Sequence, residues 1–234
     1  MKKKFYIIPA FLAALSLASC GGNSNVTTTP SASEAPSVEP STAPSVDNSV
    51  EYDADLQKVI SAIYNSEEVL TGFNEQYYIY DNETIVHSYN RVLTLERGAT
   101  INTNVVETIG KLSLSGNGLE ETTVSYYTIG ETKYNENGTT TSYNVPTYFL
   151  TFVLAEEFLA EDYSLEINNE NYTLSANVKN SYVSSLFINK SITGLASLEI
   201  SISIVNSRLT SFEANYTFDN GLTAKTTINY NYQV

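Results

Sequence analysis

The chain contains a single cysteine, Cys20, and the residues before it indicate a specific reaction of its thiol. Three lysines at 2–4 and a largely apolar run at 5–17 come first, and the small residues Ala18 and Ser19 precede the cysteine directly. This is the order of a secretory signal that ends in small residues at its cleavage site. An isolated thiol cannot form an internal disulfide, so it is free for modification. We therefore expect export, cleavage before Cys20 and modification of its sulfur.

The sequence Leu-Ala-Ser-Cys at 17–20 resembles the lipobox of bacterial lipoproteins. In that family the cysteine receives a diacylglycerol and becomes the first residue of the mature chain. The resemblance implies a signal peptide at 1–19, lipid attachment at Cys20, and a lipid-anchored location at the extracytoplasmic face of a cell membrane. Two or three acyl chains anchor a protein firmly in a membrane. The apolar run at 5–17 is not expected to span the bilayer itself, because spanning takes roughly 20 residues. The alternative is an ordinary signal peptide with a chance cysteine.

No other residues form a catalytic or metal-binding pattern. His87 is the only histidine, and it lies in a strand-like stretch at 84–90, where a surface or cross-strand position is expected. A zinc site of the usual ligand set needs further His or Cys residues. The sequence has no Gly-x-Ser-x-Gly elbow, phosphate-binding loop or dinucleotide fingerprint. Paired carboxylates such as Glu156-Glu157 are common on solvated surfaces. We therefore predict no enzyme, no metal and no cofactor.

Composition divides the mature chain into a linker and one domain. Residues 20–50 are rich in Ser, Thr and Pro and contain four of the six prolines. Such a segment cannot bury enough apolar surface to offset its ordering entropy, so we predict a disordered linker after the lipidated cysteine. Residues 51–234 are predicted to form a single β-rich globular domain. The formal charge of −14 disfavours nucleic acid as a partner.

The domain is predicted to begin with a helix at Asp53–Leu70. Apolar residues recur at helical spacing at positions 56, 59, 60 and 63, Asp53 or Asp55 can cap the start, and Gly72 follows where a helix commonly stops. Residues 73–143 are then rich in Thr, Val, Ile, Tyr and Asn, with turn residues between the runs. This composition predicts five or six strands.

Two further helices are predicted from apolar runs. Pro146 opens a densely apolar stretch that ends near Leu159, which is longer than a typical strand. Proline suits a first helical turn, and a helix that is apolar on most sides is normally buried. A second, short helix is predicted at Val178–Phe187.

From residue 198 onward, even-numbered positions are mostly apolar and odd-numbered positions mostly polar. This period of two predicts a three-stranded meander with one face on a core and the other in water. A three-residue loop at Asp219-Asn220-Gly221, with Gly221 left-handed, pairs Phe218 with Leu222 and Tyr216 with Ala224 and keeps one face dry. The expected buried residues are Ile202, Phe212, Tyr216 and Phe218. The expected solvated residues are Glu213, Asn215, Thr217 and Lys225.

The order of elements is a helix, long antiparallel strands, an apolar helical insertion and a closing meander. Behind a lipobox, this order resembles lipoprotein carriers of the LolA and LppX type. In that family a curved, incomplete β-barrel encloses an apolar cavity that is lidded by helices and holds acyl chains. The resemblance implies an α+β, mainly antiparallel β fold. It implies a curved sheet or incomplete β-barrel with a few helices packed on its concave face.

Two functions remain open. The first is a membrane-anchored lipoprotein that binds or carries a lipid or other amphipathic ligand in an apolar cavity. Its candidate ligand-binding residues are Phe149, Phe152, Val153, Phe158, Phe212, Tyr216 and Tyr230. The second is a structural or adhesive envelope module that binds protein or glycan through its exposed sheet face, to which the 18 tyrosines can contribute. A hollow core favours the first function, and a filled core favours the second.

Replacing Cys20 by alanine (Cys20→Ala) should release the protein from the membrane fraction, because this thiol is the expected attachment point of the lipid. Partitioning between aqueous and detergent phases measures the change. A Ser19→Ala variant keeps a small residue at the cleavage site and should partition as the wild type does. If Cys20→Ala also enters the detergent phase, the anchor lies elsewhere.

Overall fold

The structure is a computed structural model that describes residues 53–113, 118–187 and 192–232. Within these ranges the chain is mainly antiparallel sheet with few helices, which confirms the coarse fold class predicted from the sequence. The expected signal peptide at 1–19, the lipid attachment at Cys20 and the linker at 20–50 lie outside the described residues.

Helix α1 spans Ala54–Val69, and the short helix α2 spans Val183–Leu186. Single 3-10 turns occupy Glu156–Phe158 and Asn180–Tyr182. The strands are β1 (Leu70–Asp81), β2 (Thr84–Arg97), β3 (Ile101–Leu112), β4 (Leu119–Ile129), β5 (Thr132–Asn135), β6 (Thr140–Ser142), β7 (Ser164–Asn168), β8 (Asn171–Asn177), β9 (Leu195–Val205), β10 (Arg208–Phe218) and β11 (Thr223–Tyr232). Among the described residues they form one open sheet in the order β6-β5-β4-β3-β2-β1-β11-β10-β9-β8-β7.

The first and last strands of the domain pair with each other inside the sheet. Strand β1 runs antiparallel to β11, with Phe73 opposite Tyr230 and Tyr77 opposite Thr226. Two meanders, β1 to β6 and β7 to β11, therefore meet along this pair, and β6 and β7 form the two edges. The six strands of the first meander agree with the five or six that composition predicted.

Helix α1 confirms the first predicted element within one residue at each end. The Asp53 carboxylate accepts hydrogen bonds from the backbone N–H groups of Asp55 (2.8 Å) and Leu56 (3.2 Å), as an N-cap does. Leu56, Val59 and Ile63 form its buried stripe. The helix passes directly into β1, so its C-terminus needs no separate turn.

Gly72 does not end the helix, contrary to the prediction, but lies inside β1. Its φ angle is +155°, and a Cβ built there would lie 2.2 Å from the carbonyl oxygen of Leu93 on β2. The pairing of β1 with β11 shifts register between Leu70 and Gly72. A glycine is required because the two backbones approach too closely for any side chain.

The prediction of a helix from Pro146 to Leu159 is wrong. The segment is mostly extended and contains only the 3-10 turn Glu156–Phe158, with isolated bridges from Phe152 to Phe187 and from Leu159 to Val178. Its backbone groups find tertiary partners instead of helical ones. The N–H groups of Phe149 and Leu150 donate to the Glu67 carboxylate at 3.0 and 2.9 Å. The apolar run therefore reflects an extended segment buried on more than one side.

The short helix predicted at Val178–Phe187 is confirmed in its central part. The 3-10 turn at Asn180–Tyr182 continues into α2, and Val183 and Leu186 are buried. Val178 and Phe187 lie outside the helical residues and form the two bridges to the extended segment.

The C-terminal meander has the predicted register. Tyr216 lies opposite Ala224, the N–H of Phe218 donates to the carbonyl of Leu222 at 2.9 Å, and Gly221 has a φ of +85°. Ile202, Phe212 and Tyr216 are buried as expected, whereas Phe218 is half-buried. On the opposite face, Asn215 and Thr217 are exposed and Glu213 and Lys225 are half-exposed. Glu213 and Lys225 form an ion pair across the strands at 2.8 Å.

We call the face that carries Phe212 the packed face and the opposite one the polar face. Over β8 to β11, the packed face is covered by α1, by the extended segment at 149–159 and by α2. Phe152 stacks on Phe212 with ring centroids 4.2 Å apart, and Phe187 meets Phe212 edge-on at 6.1 Å. The Ser66 hydroxyl of α1 accepts a hydrogen bond from the N–H of Leu209 on β10 at 2.8 Å. Side chains of the covering elements therefore pack directly onto the sheet.

Phe212→Ala should lower the free energy of unfolding by about 3–5 kcal/mol, because it removes a ring that stacks in this core. Asn215→Ala, on the same strand but on the polar face, should change it by less than about 0.5 kcal/mol. Urea denaturation of both variants measures the difference. Equal losses would place both residues in the core and contradict the assignment of faces.

Candidate binding surface

The seven residues predicted to line an apolar cavity lie in the packed core or at its margin. Phe149, Phe152, Phe212, Tyr216 and Tyr230 are buried, and Val153 and Phe158 are half-buried. The structure brings Phe152, Phe212 and Tyr216 together around Phe187, whose ring centroid lies 5.9 Å from that of Tyr216. These rings contact one another across the interface between the extended segment and the sheet.

The remaining candidates are dispersed. The ring of Phe149 lies 5.6 Å from the guanidinium of Arg97, and Phe158 stacks on Tyr182 at 5.1 Å. Tyr230 meets Phe73 edge-on at 6.2 Å. These three rings therefore contact partners outside the group formed by Phe152, Phe187, Phe212 and Tyr216.

Two open hollows lie elsewhere on the surface. One, of about 390 Å³, lies between α1 and the side chains of Tyr172 and Ser207. The other, of about 370 Å³, lies against β6 and the turn before β5. Neither is lined by any of the seven candidates.

We call the part of the sheet formed by β3 to β6 the open wing. Its polar face is largely uncovered, whereas its packed face is covered in part, since Thr103, Val105 and Thr128 are buried. Val106, Tyr127 and Ile129 are exposed on its polar face. On its packed face, Ile109 and Val124 are 39% and 48% exposed. Large apolar side chains that stay exposed on neighbouring strands commonly mark an interaction surface.

Cross-strand side-chain pairs stabilise the open wing. The hydroxyls of Thr103 and Thr128 lie 2.8 Å apart, and those of Thr108 and Thr123 lie 3.0 Å apart. Ser125 donates a hydrogen bond to the Glu136 carboxylate. Pairs of this kind stabilise a sheet locally, and the threonines also favour extended backbone. The polar face of the wing can therefore stay open to solvent.

The polar face of the wing carries a stacked pair of tyrosine rings. The rings of Tyr127 on β4 and Tyr134 on β5 are parallel within 4°, with centroids 4.8 Å apart. Tyr127 is 49% exposed, and Asn104 lies directly opposite it on β3. Stacked tyrosines beside an amide offer both an apolar surface and hydrogen-bonding groups.

A row of charged side chains crosses the packed face where the covered half meets the wing. Glu75, Arg91 and Glu107 lie opposite one another on β1, β2 and β3, and we call them the charged row. Arg91 Nη2 donates to Glu75 Oε2 at 2.7 Å, and the guanidinium lies 4.8 Å from the centre of the Phe73 ring. The hydroxyl of Tyr89 donates to Glu107 Oε1 at 2.8 Å.

Four tyrosines surround the charged row: Tyr77, Tyr89, Tyr126 and Tyr143. Tyr77 and Tyr89 lie opposite each other one row away on β1 and β2. Burial raises the pKa of Tyr77 to about 12, and burial together with the Glu107 charge raises the pKa of Tyr126 to about 12. Burial also raises the pKa of Tyr143, which senses the charges of Arg91 and Glu107. Lys133 Nζ lies 3.6 Å from the centre of the Tyr126 ring.

The charged row was not predicted from the sequence, although a signal was present. Glu75 lies between Phe73 and Tyr77, which are inward-facing positions of β1, and Arg91 lies between Tyr89 and Leu93 on β2. A charged residue at an inward position of each strand indicates a paired, partly buried group. Recognising the pair also required the register of β1 with β2, which no sequence pattern fixed.

His87 lies on β2 with its ring 6.3 Å from that of Tyr77, a cross-strand position as expected. Burial and the nearby charge of Lys111 lower its pKa. The described residues contain no cluster of three or more His, Cys, Asp or Glu side chains arranged to hold a metal. In the same part of the chain, no helix is long and apolar enough to cross a bilayer.

No protein-family model matches the sequence, and a search of curated proteins finds no similar chain.

The free energy of unfolding should fall as pH rises from about 10 to 12, and less so in Tyr126→Phe. The raised pKa means that folded Tyr126 keeps its proton up to about pH 12, whereas the unfolded chain loses it near the ordinary value of about 10. The unfolded state is therefore favoured across this window, and phenylalanine has no proton to lose. Urea denaturation at about pH 9 and about pH 11.5 measures both falls.

Tyr148→Phe is the matched control, because Tyr148 is 58% exposed and lies outside the wing. The free energy of unfolding of this variant should fall between the two pH values by as much as that of the wild type. Equal falls in Tyr126→Phe and the wild type would contradict the burial of this hydroxyl.

Proposed function

We propose that the protein is a lipid-anchored, extracytoplasmic binding module that holds an envelope glycan against the open wing of its sheet. The observation that carries this proposal is the parallel pair of Tyr127, which is 49% exposed, and Tyr134, which is half-buried, on the polar face of the wing. The anchor is the lipid expected on Cys20. The linker at 20–50 can extend to roughly 100 Å, which lets the domain reach beyond the membrane surface.

The chemistry of the wing suits a polymer of sugars. A pyranose ring has an apolar face of C–H groups and an edge of hydroxyls, so it matches a tyrosine ring beside amides and hydroxyls. The polar face supplies these groups from Asn102, Asn104 and Thr132. A flat, open surface also admits a long chain that a closed pocket would exclude.

The packed core supports this function over lipid transport. A lipid carrier needs an apolar space, but Phe152 and Phe187 lie directly against Phe212 on the covered face. To admit an acyl chain, the segment at 149–159 would have to leave the sheet and release its hydrogen bonds to Glu67. We also propose that the sheet is curved and that its packed face is concave. Lipid binding remains the alternative outcome of the test.

The test uses the chain from residue 20 onward, with Cys20→Ala to remove the lipid. It is incubated with insoluble cell-wall polysaccharide from the producing bacterium, treated beforehand with protease, and the bound fraction is measured by pelleting. The chain should bind. Tyr127→Ala combined with Tyr134→Ala should weaken binding about tenfold or more, because each ring contributes about 0.5–1.5 kcal/mol of contact.

Tyr148→Ala is the matched control, since it removes an exposed tyrosine outside the wing, and it should bind as the wild type does. Loss of binding after protease treatment would indicate a protein partner instead and contradict the proposal. In parallel, native mass spectrometry after incubation with membrane lipid extract should show no retained lipid. Retained lipid would favour the carrier function.

A further inference from the structure

We propose that the charged row and its four tyrosines form a subsite for a neutral sugar residue on the packed face of the sheet. This inference rests on the proposed glycan binding and adds a location and a ligand class to it. The subsite lies on the face opposite to the stacked pair Tyr127 and Tyr134. The subsite and the stacked pair can therefore be tested separately.

The charged row is built and held before any ligand arrives. Glu75 is fully buried and fixes Arg91 through the 2.7 Å contact, while the Phe73 ring supports the guanidinium from one side. Tyr89 fixes one oxygen of Glu107. Side chains fixed in this way lose little further entropy when a ligand binds, which favours affinity.

The row is also reachable from solvent. About a quarter of the Arg91 side chain is exposed, at 24%. Ile109 lies opposite Tyr89 and Val124 lies opposite Glu107 on the same face, and both are substantially exposed. The row therefore lies at the edge of the covered half and opens toward β4.

Charge balance favours a neutral ligand. Two carboxylates, Glu75 and Glu107, face two cations, Arg91 and Lys133, and Lys133 is held over the Tyr126 ring. An anionic sugar would meet Glu107, and a cationic one would meet Arg91 and Lys133, at a similar electrostatic cost. Neutral hydroxyls can accept from the guanidinium and donate to the free oxygen of Glu107 without that cost.

The tyrosines complete the match to a sugar ring. The ring of Tyr126 lies on β4, and Tyr143 enters from the segment that follows β6, where its N–H donates to the Glu131 carbonyl at 2.7 Å. Strands β1, β2 and β4 and the segment after β6 thus contribute aromatic surfaces around polar groups that donate and accept hydrogen bonds. Apolar ring surfaces with a few fixed polar groups are typical of small-ligand sites.

The test separates soluble fragments of the envelope polysaccharide by anion exchange into a neutral and an acidic fraction, and measures binding of each to the unlipidated chain. The neutral fraction should bind. Glu107→Gln removes an acceptor charge without changing shape and should weaken that binding about tenfold, as should Tyr126→Ala. Glu199→Gln is the matched control, because it removes the same charge from the exposed polar face of β9, outside the wing, and should bind as the wild type does.

Circular dichroism of each variant confirms that it is folded, and Glu107→Gln keeps the test valid if Tyr126→Ala does not fold. Binding of the acidic fraction alone, or unchanged binding of Glu107→Gln, would overturn the subsite while leaving glycan binding by the wing intact. Failure of the wild-type chain to bind either fraction would overturn both proposals.

Discussion

The carboxylate of Glu67 determines which part of the sheet is covered. It lies near the end of α1 and accepts hydrogen bonds from the N–H groups of Phe149 and Leu150 and from Arg97 Nη2 at 3.1 Å. Arg97 also donates to the Glu67 carbonyl at 2.7 Å. One nearly buried charge therefore joins the helix, the end of β2 and the extended segment. Charge-assisted hydrogen bonds of this kind are the strong ones, so the segment stays on the half of the sheet that carries Phe212.

The division of the sheet follows from that attachment. Over β8 to β11 the packed face is apolar and is buried by α1 and by 149–159. Beyond β2 the packed face is buried mainly around Thr103, Val105 and Thr128, and the polar face is open. The wing is instead paired through threonine hydroxyls and aromatic contacts. The charged row lies at the boundary, where burial is sufficient to fix Glu75 and Arg91 but leaves Glu107 partly open. This boundary also suits ligand binding, because fixed polar groups beside an open surface can contact a ligand with little further loss of entropy.

Local patterns predicted the local parts of this structure. The period of two from Ile202 to Tyr230 and the loop at Asp219-Asn220-Gly221 were sufficient to give the faces and register of the last three strands. The N-cap and the apolar stripe that predicted α1 are also local signals. The segment at 149–159 could not be predicted in this way, because its backbone hydrogen bonds go to Glu67 and Leu186, far away in sequence. The pairing of β1 with β11 is also long-range and leaves no periodic signal. The charged row depends on the registers of β1 with β2 and of β2 with β3, which no sequence pattern fixed.

The decisive measurement is the map of amide chemical-shift changes in the unlipidated, isotope-labelled chain on addition of soluble neutral fragments of the envelope polysaccharide. If the open wing and the charged row bind glycan, the changes should concentrate on β2 to β5, around Arg91, Glu107 and Tyr127. The segment at 149–159 and α2 should be unaffected, because they are packed against the sheet. Changes concentrated at Phe152 and Phe187, or none anywhere, would contradict the assignment of function to the uncovered half of the sheet.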